Sequence, residues 1–258
     1  MSLAPVHYTK KGEKSMPKAA QPHEHASVEE IIHPHVDMLA DVPEQAAGPA
    51  YRQDKATALA ALREPGVRCC RCDLCATRTQ VVFGEGSPTA TVLIIGEAPG
   101  AEEDKHGHPF YGRAGQMLNS LLEEVGISRD EVWITNTVKC RPTAVVGRRV
   151  SNRAPRVPEI KACTIWRMGE LGIIKPKVVC CLGAVAAKAM LGRDVRMTQE
   201  RGQLMPFPLP LEGMEDTEVI LTYHPSYIMR QEGEAYDRIR AQALADFRVV
   251  EAKLHQQS

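Results

Sequence analysis

The chain predicts an α/β fold, a three-layer α/β/α sandwich around a central, mainly parallel four-stranded sheet. Three observations predict it. Four short runs rich in aliphatic and β-branched residues recur along the chain, at 92–95, 132–135, 177–182 and 219–222. None of them alternates apolar with polar residues, the pattern of strands covered on both faces rather than wetted on one. Helical periodicity or an alanine-rich stretch separates the runs, so crossover connections can lay helices on both sides of one sheet.

In chain order, residues 1–50 are rich in Pro, Ala, His, Lys and Glu, with few large apolar residues in the first 25. Such a segment buries too little to offset its ordering entropy and reads as a flexible tail. Ser27 and Glu30 form a capping-box pattern, which allows a short helix near 28–40. The remainder, 51–258, reads as one domain. It opens on an alanine-rich helix over 51–63 that Pro65 and Gly66 end.

Eight cysteines fall in a chain with no run of 18 apolar residues and no apolar signal core. A cytoplasmic protein without a membrane partner is therefore expected, and metal ligation or burial rather than disulfides. Cys180 and Cys181, inside the third apolar run, read as small core residues. Cys69, Cys70, Cys72 and Cys75 form a tight group in which either Cys69 with Cys72 or Cys72 with Cys75 could grip one metal. Spacing leaves both open. Cys140 and Cys163 are distant singles that would complete a four-thiolate set, suited to a structural zinc or a [4Fe–4S] cluster, with zinc the commoner structural metal.

The run Val92–Ile95 delivers a turn with Gly96, Glu97, Ala98, Pro99 and Gly100, where open α/β sheets place ligands. Acidic residues Glu102, Glu103 and Asp104 follow, then Pro109-Phe110-Tyr111-Gly112 and a helix with Met117, Leu118, Leu121, Leu122 and Val125 at helical spacing. The second run ends at Asn136, whose amide can offer a donor and an acceptor to one ligand edge. A helix is expected from Pro158, with Glu159 favourable to its dipole. An alanine-rich helix over 184–191 ends at Gly192, and 193–217 reads as loop. The last run delivers His224, Pro225, Ser226 and, further on, Arg230, before a closing helix with Ile239, Ala243, Phe247, Val250 and Leu254 along one face.

Gly96 to Gly100 with the acidic residues after it, Pro109 to Asn119, Thr135 to Pro142 and the His224-Pro225-Ser226 segment together closely resemble the motifs of the family 4 uracil-DNA glycosylases, the iron–sulfur branch of that superfamily. The resemblance spans roughly residues 66–250. It implies a monofunctional enzyme that hydrolyses the N-glycosidic bond of deoxyuridine in single- or double-stranded DNA. A monomer is expected. Aligning Leu74, Arg78 and Thr79 with the family pattern makes Cys69, Cys72, Cys140 and Cys163 the ligands and favours a [4Fe–4S] cluster over zinc. Glu97, Glu103 and His224 take catalytic positions, with His224 aimed at the developing oxyanion of the leaving base. Gly96, Ala98, Phe110, Asn136, Ser226 and Arg230 take substrate-binding ones, Phe110 stacking on the everted base and Asn136 reading its edge. Tyr227, Ile228 and Met229 either enter the base stack or pack beneath the last helix.

One segment departs from that pattern. Between Cys140 and Cys163 lies a longer, acid-free stretch, 141–156, with Arg141, Arg148, Arg149, Arg153 and Arg156. Lys plus Arg and Asp plus Glu each number 32, so the net charge is zero and only such local clustering argues for phosphate binding. The stretch also resembles the insertion of a related branch that traps uracil-DNA through a loop histidine. Asn152 stands at that position, and an amide cannot act as the nucleophile. A non-catalytic, cluster-bearing DNA-binding module is the alternative reading.

Overall fold

The computed structural model describes residues 55–255; the tail expected over 1–50 and the helix expected at 28–40 lie outside them. The elements in order are α1 (Lys55–Gly66), β1 (Glu85–Gly86), β2 (Val92–Gly96), α2 (Ala101–His106), α3 (Arg113–Glu124), β3 (Trp133–Asn136), β4 (Thr143–Val146), β5 (Arg149–Asn152) and α4 (Val157–Ile174). They continue with β6 (Val178–Leu182), α5 (Ala184–Leu191), α6 (Met197–Glu200), β7 (Leu204–Pro206), β8 (Glu218–Thr222), α7 (Pro225–Ile228) and α8 (Gly233–His255). Among the described residues no helix is long and apolar enough to cross a membrane.

Strands β3, β2, β6 and β8 are neighbours in that order and parallel. Two short antiparallel strands complete the sheet, β1 beside β3 and β7 beside β8. The sheet therefore has six strands where the apolar runs predict four. An edge strand needs only one ladder, and neither the two residues of β1 nor the Pro-terminated β7 is long enough to leave a period in the sequence.

The central strands divide their side chains between two cores. Val92, Ile94, Val178, Cys180 and Ile220 face Leu118 and Leu121 of α3 and Ile239, Ala243 and Phe247 of α8. Leu93, Ile95, Val179, Cys181 and Leu221 face Leu171 and Ile174 of α4 and Ala186 and Met190 of α5. Both faces being covered is why the runs do not alternate. Each such fully buried aliphatic side chain is worth roughly 1.5–3 kcal/mol relative to exposure. Cys180 and Cys181 are wholly buried, consistent with a packing role.

The arginine-rich segment is not simply a loop. Its centre is an antiparallel hairpin, β4 with β5, that forms a separate two-stranded sheet. Gly147, at φ 63°, takes the first central position of the two-residue turn, where a left-handed conformation matches the twist of the flanking strands.

Candidate nucleobase site and thiolate cavity

Asn136 ends β3, Glu97 follows β2 and His224 follows β8, so all three emerge at the carboxyl edge of the parallel sheet. Gly96 lets the first groups meet. A side chain there would lie 2.4 Å from the Phe110 ring and 2.6 Å from Asn136 Oδ1. The Phe110 ring centroid is in turn 5.9 Å from that of His224, tilted by 33°. An aromatic face, an amide and an imidazole thus converge over one strand end.

Holding Phe110 there requires an uncommon backbone. Its φ is 51°, which for a non-glycine residue costs on the order of 1–3 kcal/mol and persists only where neighbours enforce it. The neighbours are identifiable. Gly115, in the first turn of α3, leaves room for the Phe110 carbonyl, which a Cβ at 115 would meet at 1.6 Å. Arg129 Nη2 donates to the Pro109 carbonyl at 2.6 Å. Glu103 accepts the Gly100 N–H at 3.0 Å and the Gly112 N–H at 2.8 Å, one on each oxygen. That carboxylate spans the turn after β2 and the loop bearing Phe110.

Asn136 is only 2 % exposed, and a buried ion pair lies behind it. Lys139 Nζ donates to the Asn136 carbonyl at 3.0 Å, to Thr135 Oγ1 at 2.6 Å and to Glu170 Oε2 at 2.5 Å. Glu170 also accepts from Thr135 Oγ1 and the Gly84 N–H, both at 2.8 Å. Sequence reasoning missed Lys139 and Glu170, because isolated charged residues between apolar ones read as solvent-facing. The one signal was Lys139 sitting directly before Cys140.

The imidazole is fixed from the other side. His224 caps α7, and its Nδ1 accepts the Ser226 N–H at 3.1 Å, with Ser226 Oγ at 2.8 Å. A backbone amide can only donate, so Nδ1 carries a lone pair and the neutral ring holds its proton on Nε2. Burial, with Arg230 adding to it, pushes the imidazole pKa down to about 4. Gly183, at φ 87°, admits the close approach, since a Cβ there would sit 3.1 Å from His224 Cβ. Glu97 is half-buried; burial raises its carboxyl pKa and the Arg230 guanidinium opposes the rise. Arg230 Nη1 also donates to Ser226 Oγ at 3.3 Å. Ile228 is wholly buried in the core under α8, whereas Tyr227 is exposed with Arg230 over its ring.

Cys69, Cys72, Cys140 and Cys163 line one cavity with Leu74, Val138 and Trp166, whereas Cys70 and Cys75 do not line it. Hydrogen-bond donors surround the sulfurs. Trp166 Nε1 lies 3.2 Å from Cys69 Sγ, the Lys139 N–H 3.2 Å from Cys163 Sγ and Arg78 Nη1 3.5 Å from Cys140 Sγ. Burial pushes the Cys140 thiol up to about 12 and that of Cys163 to about 11. Donors aimed at sulfurs that burial keeps from ionising alone suit thiolates bound to a metal centre. Among the described residues no three His, Cys, Asp or Glu side chains are grouped closely enough for one ion. Ala98 packs against the apolar cluster that includes Val138, Cys140, Cys163 and Trp166, so the turn after β2 adjoins the surroundings of the thiols as well as the nucleobase site.

Residues 83–248 match the family described as the uracil DNA glycosylase superfamily. The chain belongs to that superfamily. Within it, the chain is similar to the type-4 uracil-DNA glycosylase of Thermotoga maritima, 40% identical over 173 residues that cover 67% of this chain and 83% of the relative. Those of Pyrobaculum aerophilum and Sulfurisphaera tokodaii are 38% and 37% identical, covering 63% and 64% of this chain and 80% and 73% of the relatives. This is the branch to which the motifs pointed.

Proposed function

We propose that the protein is a monofunctional uracil-DNA glycosylase acting in DNA repair. The observation that carries this reading is the convergence of Phe110, Asn136 and a neutral, Nδ1-accepting His224 over Gly96. Phe110 stacks on the everted pyrimidine, and the Asn136 amide pairs with its edge. Cytosine, with donor and acceptor exchanged on that edge, leaves the buried amide mispaired. When the C1′–N1 bond breaks, its electron pair leaves with the base and charge gathers on O2. His224 Nε2–H donates to that oxygen. A neutral donor suffices, because the leaving group needs a hydrogen bond rather than a full proton. Water adds to C1′, and Glu97, whose basicity burial raises, holds that water and takes its proton. Glu103 acts by bracing the Phe110 loop, and Arg230 by orienting Ser226 and meeting phosphate.

Cys69, Cys72, Cys140 and Cys163 would hold a [4Fe–4S] cluster whose contribution would be to cross-link the 69–72 segment, the stretch after β3 and α4. The residues beside it do the positioning: Lys139 links the Cys163 sulfur to Asn136. Asn152 brings no nucleophile, so covalent capture of DNA is not part of this reading. The test is incubation with a uracil-containing oligonucleotide followed by alkali. Strand cleavage at the uracil is expected; intact DNA across salt and pH would overturn the proposal.

A further inference from the structure

The β4–β5 hairpin has no part in the chemistry above, and its surface is unusual. Val145 and Val150 are cross-strand partners, yet they are 69% and 54% exposed. Two of the nearby arginines are consumed in anchoring the hairpin. Arg141 Nε donates to Asn152 Oδ1 at 2.7 Å, and Arg153 binds Glu159 and the Thr143 carbonyl. Arg148 in the turn and Arg149 beside it make no ion pair among the described residues. An exposed apolar pair thus stands next to two uncommitted guanidinium groups.

The hairpin's place relative to the nucleobase site selects the partner. Side chains alternate across a strand, so Val150 and Asn152 share a face, as do Val145 and Thr143. On that face Asn152 Nδ2 lies 3.5 Å from where a Cβ on Gly100 would stand, in the turn after β2 that also carries Glu97. The valine pair is therefore continuous with the site's rim. In strand order β3 and β8 lie on opposite sides of β2. The hairpin, leaving from β3, and the 225–230 segment, leaving from β8, approach the site from opposite directions.

We propose that this hairpin is a second DNA-gripping arm. Val145 and Val150 press on the sugars and base edges of the duplex groove beside the everted nucleotide, while Arg148 and Arg149 hold its phosphates. Apolar side chains flanked by arginines suit a groove edged by phosphates. The inference deepens the glycosylase reading and rests on it for the orientation of the DNA.

The test uses the full chain with its metal centre intact and a uracil-containing duplex, read by fluorescence anisotropy across a salt series. The variants are R148A/R149A, V145S/V150S and, as control, R248A. Arg248 lies in the half of α8 near the amino edge of the sheet, where Lys253 binds Glu218. R148A/R149A should weaken binding about tenfold and flatten the plot of log K against log salt by roughly 1.8, at about 0.9 per phosphate contact. V145S/V150S should weaken duplex binding several-fold with the slope unchanged, and R248A should match the wild type. Wild-type affinity and slope in both hairpin variants would overturn the proposal. Uracil release by the wild type is scored separately: its absence alongside weakened binding by the hairpin variants would condemn the glycosylase reading and leave the arm standing.

Discussion

At the scale of single residues, the decisive group is the His224 ring, whose hydrogen-bond pattern assigns it one chemical form. Because Nδ1 accepts and burial lowers its pKa to about 4, the ring stays neutral through the physiological range. A pH–rate profile should therefore show no acid limb near 6.5 attributable to His224, the limb falling instead near 4. The same shift has a consequence for folding. The unfolded chain takes up a proton on this ring near 6.5 and the folded one refuses it until about 4, so this residue's contribution to stability falls as pH drops across that window. Glu97, Asn136 and His224 were legible because each stands at or after a strand end, and Phe110 because it lies inside a recognisable motif between two helices. Glu103 was visible as a residue of the site but not in its bracing role, since sequence cannot show that two backbone amides occupy a carboxylate.

At the scale of elements, two devices hold the nucleobase site in shape. The first is the approach of α3 to the Phe110 loop. A G115A variant, whose methyl would meet the Phe110 carbonyl, should lose about 1–3 kcal/mol of stability through overpacking, and uracil release should fall further than stability accounts for. Denaturant melts and single-turnover rates on the same preparation separate the two. The second is the Lys139–Glu170 pair under β3. K139M strands a buried carboxylate and should cost about 3–5 kcal/mol, whereas K139M/E170M, with both charges gone, should recover part of that loss. The hairpin escaped sequence reading because its arginines hid the cue in Val145-Val146-Gly147-Arg148-Arg149-Val150, where β-branched residues flank a glycine turn.

For the whole molecule, the parallel sheet places the chemistry and the thiolate cavity lies close behind it. The sheet was legible because burial on both faces leaves continuous apolar runs; its two edge strands were not, because one ladder and a few residues impose no pattern. The four cavity cysteines come from the 69–72 segment, the stretch after β3 and α4, so loss of a metal centre held by them should be felt across all three. C163A should lose bound iron and visible absorbance and melt at a lower temperature than the wild type, while C70A, outside the cavity, should retain both. A colourless wild-type protein that keeps zinc would refute the cluster. The central claim, that strands β2, β3 and β8 together present one everted pyrimidine to a neutral imidazole, is tested most directly by chromatographic measurement of free uracil from deoxyuridine-containing DNA, wild type beside H224A. The account predicts uracil from the wild type and a rate about 10²–10³ lower in H224A; no free uracil, or equal rates from the two proteins, would contradict it.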